Sequence, residues 1–211
     1  MKTTNPDDTG LLLDRMQNGD LQACDQLLER HRRRLRKMIQ IRLDTRLVAR
    51  VDPSDIVQDT MAEAAKRLPR FAQERPIPFY AWLRQLAAER LIQVNRQHLK
   101  AQGRAVSREV SSDCVDNSRG ELIRFLASRS GTPSEILQRK ETRRQVQLGI
   151  DRLSAIDREV LVLRYVEQLS VQEAAAVLEI TVNAFTQRHF RALKRLQSVL
   201  HNLRLGELND E

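Results

Sequence analysis

Residues 170–195 read SVQEAAAVLEITVNAFTQRHFRALKR, and their spacing predicts a helix-turn-helix. Ser170 with Glu173 three positions on forms a capping box that starts a short helix ending near Leu178. Three or four residues then turn the chain, and Thr181 caps a longer helix. Ala174 and Ala175 are small where two helices must cross closely, while Leu178, Ile180, Val182 and Phe185 fill the space between them. Glu179 counts against the motif, because it stands where a glycine usually takes the positive-φ turn: either the glutamate bears a cost of about 1 kcal/mol there or the turn differs. Thr181 opens the second helix, and Asn183, Thr186, Gln187, Arg188, Arg191, Lys194 and Arg195 fall on its outward side. Hydroxyl, amide and guanidinium groups are the ones that read base edges and hold phosphates in a major groove. A helical hairpin with a basic surface also arises without any DNA role, so this segment alone leaves both readings open.

The same start signals organise the rest of the chain. Thr132-Pro133-Ser134-Glu135 and Ser154-Ala-Ile-Asp157 each place a capping hydroxyl three residues before a carboxylate. With the box at Ser170 they predict helices at about 133–152, 155–167, 171–178 and 182–203. In the first half, residues 11–48 carry Leu27, Leu28, Leu35, Met38 and Ile39 at helical spacing, opposite a basic run from Arg32 to Lys37. Asp52-Pro53-Ser54-Asp55 starts a helix over 53–68, and residues 78–100 form another. Residues 101–131 are rich in Ser, Gly and mixed charge, with periodicity only around Leu122–Leu126, and read as a linker. The expected fold is all-α. Two small helical domains, 11–100 and 132–205, are joined by the linker and flanked by tails at 1–10 and 206–211.

Two features of the first domain bear on function. At 100° per residue, Val57, Met61, Ala64 and Leu68 make an apolar stripe, and Asp55, Gln58 and Asp59 fall on the opposite side. That face is either a docking surface for a basic protein or an ordinary solvated face. Between residues 71 and 82 sit Phe71, Phe79, Tyr80 and Trp82, four of the eight aromatics, around the loop 72–78 and ahead of Arg84, Arg90, Arg96 and Lys100. Aromatics beside basic residues hold unstacked bases of single strands. The same rings also suit the core of a three-helix bundle, and for part of the cluster the core reading applies.

Composition sets the outer bounds. The 211 residues carry 36 Lys+Arg against 28 Asp+Glu, a formal charge of +8, which favours a polyanionic partner. Seven Gly and six Pro are few turn signals for an all-β protein. The first residues lack the apolar stretch of a signal peptide and no segment is apolar enough to span a bilayer, so a cytoplasmic location without membrane contact is expected. Cys24, Cys114 and the four histidines show no ligand spacing, and neither a metal nor a cofactor is expected.

Taken in order, these segments resemble the sigma-70 family of bacterial initiation factors, and within it the short extracytoplasmic-function (ECF) members. DPSDIVQDTM at 52–61 is similar to the family's acidic signature helix, matching at Asp55, Val57, Gln58, Asp59 and Thr60. Phe79-Tyr-Ala-Trp-Leu83 is similar to its F-x-x-W-L element, and 153–175 to the start of its second conserved domain, region 4. The resemblance covers roughly residues 11–100 and 132–203. It implies a protein that catalyses nothing itself and partners core RNA polymerase through the β′ clamp helices and the β flap. Asp55, Gln58 and Asp59 would dock on the clamp helices. Phe79, Tyr80, Trp82, Arg84, Gln85, Glu89 and Arg96 would bind and melt the −10 element, with flipped bases near the 72–78 loop. Thr181, Asn183, Thr186, Gln187, Arg188, Arg191 and Lys194 would read the −35 element in duplex promoter DNA. An anti-sigma factor is a further candidate partner.

Several positions depart from the family pattern. Gln85, Ala88, Glu89 and Gln93 stand where Arg, Arg-Asn and Asp are frequent, Thr186 replaces a frequent Lys, and Phe185 replaces a usual aliphatic. The promoter sequence therefore does not carry over from other members. Two alternatives remain. A free-standing helix-turn-helix regulator would bind an operator without polymerase. A recombinase-like enzyme needs a metal carboxylate cluster or a Tyr or Ser nucleophile beside arginines, and Tyr80 and Tyr165 lack such neighbours.

Overall fold

The structure, a computed structural model, describes residues 6–44, 46–48, 50–100, 110–128 and 136–207. These residues are helical apart from short turns, and the chain divides into two compact units, 1–114 and 115–211.

The first unit holds α1 (Pro6–Gln17), α2 (Leu21–Arg42), α3 (Pro53–Glu74) and α4 (Phe79–Lys100). Local rules set their ends. Gly19 turns the chain at φ 89, and the Asp20 carboxylate accepts from the Gln22 and Ala23 amides to cap α2. Asp52 accepts from the Ser54 amide at 2.7 Å and Pro53 opens α3, as the sequence predicts. Between them the buried Asp44 carboxylate holds Arg46, accepting from its amide at 2.9 Å and from its guanidinium at 2.8 Å. That fork keeps the Asp44 carboxyl below its ordinary value. α2 packs against the other three helices and α3 against α4. Leu27, Leu35, Met38, Ile39, Ile56, Leu68 and Leu83 fill the centre.

The second unit holds the greater part of α5 (Val110–Ser128), whose first turn lies across the boundary, then α6 (Ile136–Asp151), α7 (Ala155–Leu161), a π turn over Val162–Val166, α8 (Val171–Val177) and α9 (Val182–Glu207). α9 packs against α6, α7 and α8. Gly149 permits the α6 approach, because a Cβ there would lie 3.1 Å from side-chain atoms of both Leu196 and Leu200. Ser154 accepts from the Asp157 amide and Ser170 forms the full capping box with Glu173. Asp157 does not return the bond to Ser154. Its buried carboxylate pairs with Arg195 and ties the start of α7 to α9.

Three boundaries differ from expectation. α1 begins at Pro6 and α9 runs to Glu207, so helices enter both expected tails. α5 occupies most of the expected linker. Leu122 and Ile123 are buried in the second unit, Phe125 stacks on Tyr165 at 5.7 Å, and Arg119 pairs with Asp151. Tertiary contact thus holds a helix whose Ser, Asp and Asn content disfavours one. The start signal at 132–135 lies outside the described residues.

Candidate nucleic-acid interface

The predicted turn is built as the side chains require. Leu178 caps α8, Glu179 takes the left-handed conformation at φ 54, and the Ile180 amide reaches back to the Ala175 carbonyl at 3.0 Å. Thr181 then accepts from the Ala184 amide at 3.1 Å and starts α9. Ala174, Ala175 and Phe185 are buried where the two helices cross.

On α9, Phe185, Ala192 and Leu196 face the core, so residues about 180° away face solvent. Thr181, Asn183, Thr186, Gln187, Arg191 and Lys194 are exposed, and Arg188 is half-buried. Thr186 gives its hydroxyl proton to the Val182 carbonyl at 2.9 Å and Arg191 bonds the Gln187 carbonyl at 3.3 Å. Asn183 and Gln187 sit about one turn apart at the centre of this face. Sequence reasoning missed Phe190. It is 65% exposed on the same face, and its phenyl group suits contact with a thymine methyl. Its helical phase against Phe185 was the available signal.

The recognition helix is braced from behind. His189 Nε2 lies 3.2 Å from the Tyr165 hydroxyl, and the π turn brings the Tyr165 ring within 5.6 Å of the imidazole. Burial, then the Arg164 charge, lowers the His189 pKa and favours the neutral ring.

In the first unit, Asp55, Gln58 and Asp59 are all exposed on α3 while Ile56, Val57, Thr60 and Met61 are buried. The acidic face therefore points outward as predicted. Its two carboxylates differ. Asp59 receives Arg90 of α4, which also donates to Gln93 at 2.8 Å, whereas Asp55 makes no ion pair among the described residues. Gln93, one of the departures from the family pattern, thus supports the cation that holds Asp59.

The aromatic cluster requires a correction. Phe79 and Tyr80 are buried, with the His31 ring 5.1 Å and 5.7 Å from them, and the Arg34 guanidinium lies 3.6 Å over Tyr80. Arg84 is 7% exposed. Phe79 and Tyr80 join α2 to α4, and none of the three buried side chains reaches a base from this conformation. Trp82 is half-buried, stacked on Phe71 at 4.4 Å. Gln85 is half-buried, and Glu89 and Arg96 are exposed on one stripe of α4 with Ile92 and Gln93. The loop expected over 72–78 is shorter, because α3 continues to Glu74 and ends on Arg75 at φ 41.

An outward acidic helix in one unit and a helix-turn-helix in the other define a two-module helical protein with a DNA-binding motif in its second module. Comparison with known proteins agrees at the level of family. Sigma-70 region 2 matches residues 27–104 and Sigma-70, region 4 matches residues 143–196. The chain is 27% identical over 194 residues to the ECF RNA polymerase sigma-E factor of Haemophilus influenzae, covering 91% of this chain and 95% of that protein. It is 28% identical over 195 residues to the sigma-E factor of Escherichia coli K12, covering 92% and 94%. Among solved structures it is similar to CnrH, determined in complex with the cytosolic domain of CnrY. That match has a TM-score of 0.50 at 24% identity and covers 92% of this chain and 98% of the other. The chain belongs to the sigma-70 family and is a sigma factor of the ECF group. It binds core RNA polymerase and promoter DNA, directs promoter-specific initiation, and is not an enzyme. No helix among the described residues is long and apolar enough to cross a membrane.

Proposed function

We propose that the two units divide promoter recognition between them, working beside the polymerase in the cytoplasm. α3 docks on the β′ clamp helices through Asp55, Gln58 and Asp59. The Asp55 carboxylate carries this reading: an exposed acid with no ion pair among the described residues, in a protein of charge +8, suits a basic protein surface. Residues 11–100 melt the −10 element with the outward edge of α4, where Trp82, Gln85, Glu89 and Arg96 meet the displaced strand. Phe79, Tyr80 and Arg84 support that edge from within the core. Residues 132–205 seat α9 in the major groove of the −35 element and meet the β flap on another face. The stretch between the units threads toward the active-site and RNA-exit channels. A cytosolic protein domain that holds the factor off the polymerase is a further partner, supported by the complex in which CnrH was solved.

Footprinting of the assembled holoenzyme tests the division. An amide such as Gln187 pairs bidentately with adenine and discriminates by about 1–3 kcal/mol. Gln187→Ala is therefore expected to weaken upstream protection by about tenfold at one base pair and leave the downstream, melted patch intact. Loss of both patches together, or of neither, would contradict the assignment.

A further inference from the structure

Beside the reading face, the second unit has an open cleft of about 420 Å³ where the α6–α7 junction meets α9. Arg152 enters it from the junction, and Arg191, Lys194, Arg195 and Ser198 enter from α9. Four of the residues that line it are cationic, beside the apolar Leu153 and Val199. The acid paired with one of them, Asp157 with Arg195, is buried beneath. Arg152 and Lys194 are exposed and make no ion pair among the described residues. Like charges around one cleft repel, and an anion bound there relieves that repulsion while releasing its own counterions.

The position in α9 says which anion fits. Lys194 lies two turns beyond Gln187 on the same face, about 10 Å along the axis at 1.5 Å per residue. A B-DNA major groove is about 12 Å wide, so with Gln187 on a base edge, Lys194 and Arg191 reach the phosphate strand that borders the groove. Arg152 approaches the same point from a different element. We propose that this cleft is a phosphate site that clamps the DNA backbone at the edge of the −35 element, with Arg152 and Arg195 as contacts beyond the reading face. This inference rests on α9 reading the −35 element. It predicts a contribution to affinity that carries no base preference.

Arg152→Gln tests the clamp with the least risk to folding, since Arg152 is exposed and makes no ion pair among the described residues, and an unchanged thermal melt verifies the fold. The holoenzyme first selects a promoter from a genomic library. Affinity is then measured against salt for that promoter and for one with the upstream element scrambled. Removing one phosphate contact should make the slope of log K against log salt shallower by about 0.9 and weaken both DNAs by the same factor. A promoter with one neutral methylphosphonate, moved along the upstream backbone, should reproduce that loss at one position. There the wild type loses affinity and the variant loses none further. An unchanged slope, or a loss confined to the selected sequence, overturns the clamp while α9 reading stands. If the wild-type holoenzyme does not distinguish the two upstream sequences, the reading of α9 fails and takes the clamp with it. Binding of inorganic pyrophosphate that Arg152→Gln abolishes, with the DNA slope unchanged, would assign the cleft to a free phosphate compound and overturn the DNA assignment.

Discussion

Asp55→Lys combined with Asp59→Lys is expected to abolish assembly with core RNA polymerase while leaving the chain folded. Both carboxylates are solvent-exposed on α3, and each reversal replaces an attraction to a basic surface with a repulsion, the pattern by which charge sets partner choice. A loss of at least about a hundredfold, or about 2.7 kcal/mol, is expected in pull-down or fluorescence titration. The two positions separate docking from stability. Asp59 also pairs with Arg90, and breaking an exposed pair of this kind costs about 1 kcal/mol or less. Asp55 has no such partner among the described residues, and its place in the first turn of α3 limits the stability cost of Asp55→Lys to about 1 kcal/mol of helix-dipole energy, so that variant alone should weaken core binding far more than it lowers the thermal melt. Normal core affinity in the double variant would remove α3 as the docking element.

The second large effect concerns the fold that presents α9. Phe185 is fully buried between α8 and α9, with its ring stacked on His189 at 6.3 Å and 7°. Phe185→Ala should cost about 3–5 kcal/mol through lost burial and the cavity left behind. That is much of the 5–15 kcal/mol that stabilises a typical domain. Circular dichroism on heating should show the transition of the second unit move down or disappear, with that of the first unit unchanged. Phe190→Ala is the control, since a side chain 65% exposed should alter stability by less than about 0.5 kcal/mol. Equal destabilisation by the two would mean that the phase assigned to α9 is wrong.

Where a rule acts over three or four residues, the sequence was enough. Asp52 with Pro53, Ser170 with Glu173, and Thr181 cap helices where the spacing predicts, and Glu179 takes the left-handed turn that a glycine would ordinarily fill. The outward face of α3 followed from the same periodicity. What depended on distant contacts was not legible. Local propensity argues against α5, and its helix is held by Leu122, Ile123 and Phe125 packing into a unit whose partners lie up to forty residues on. Phe79, Tyr80 and Arg84 lie beside basic residues in sequence, as in a base-binding surface, but all three are buried, and α2 covers Phe79 and Tyr80 through His31 and Arg34. The Asp59–Arg90 pair spans 31 residues and two helices, so only the packed unit reveals that one carboxylate of the docking face is held and the other is open.

The central claim is that this chain gives promoter specificity to a polymerase and acts on DNA through it. Run-off transcription on a genomic promoter library, with core polymerase in the presence and absence of the chain, measures that directly. The expected result is discrete starts that appear only when both are present, share two conserved upstream patches, and vanish with Asp55→Lys/Asp59→Lys. Tight, sequence-specific binding of the free chain to an operator, with no starts added to core polymerase, would contradict it.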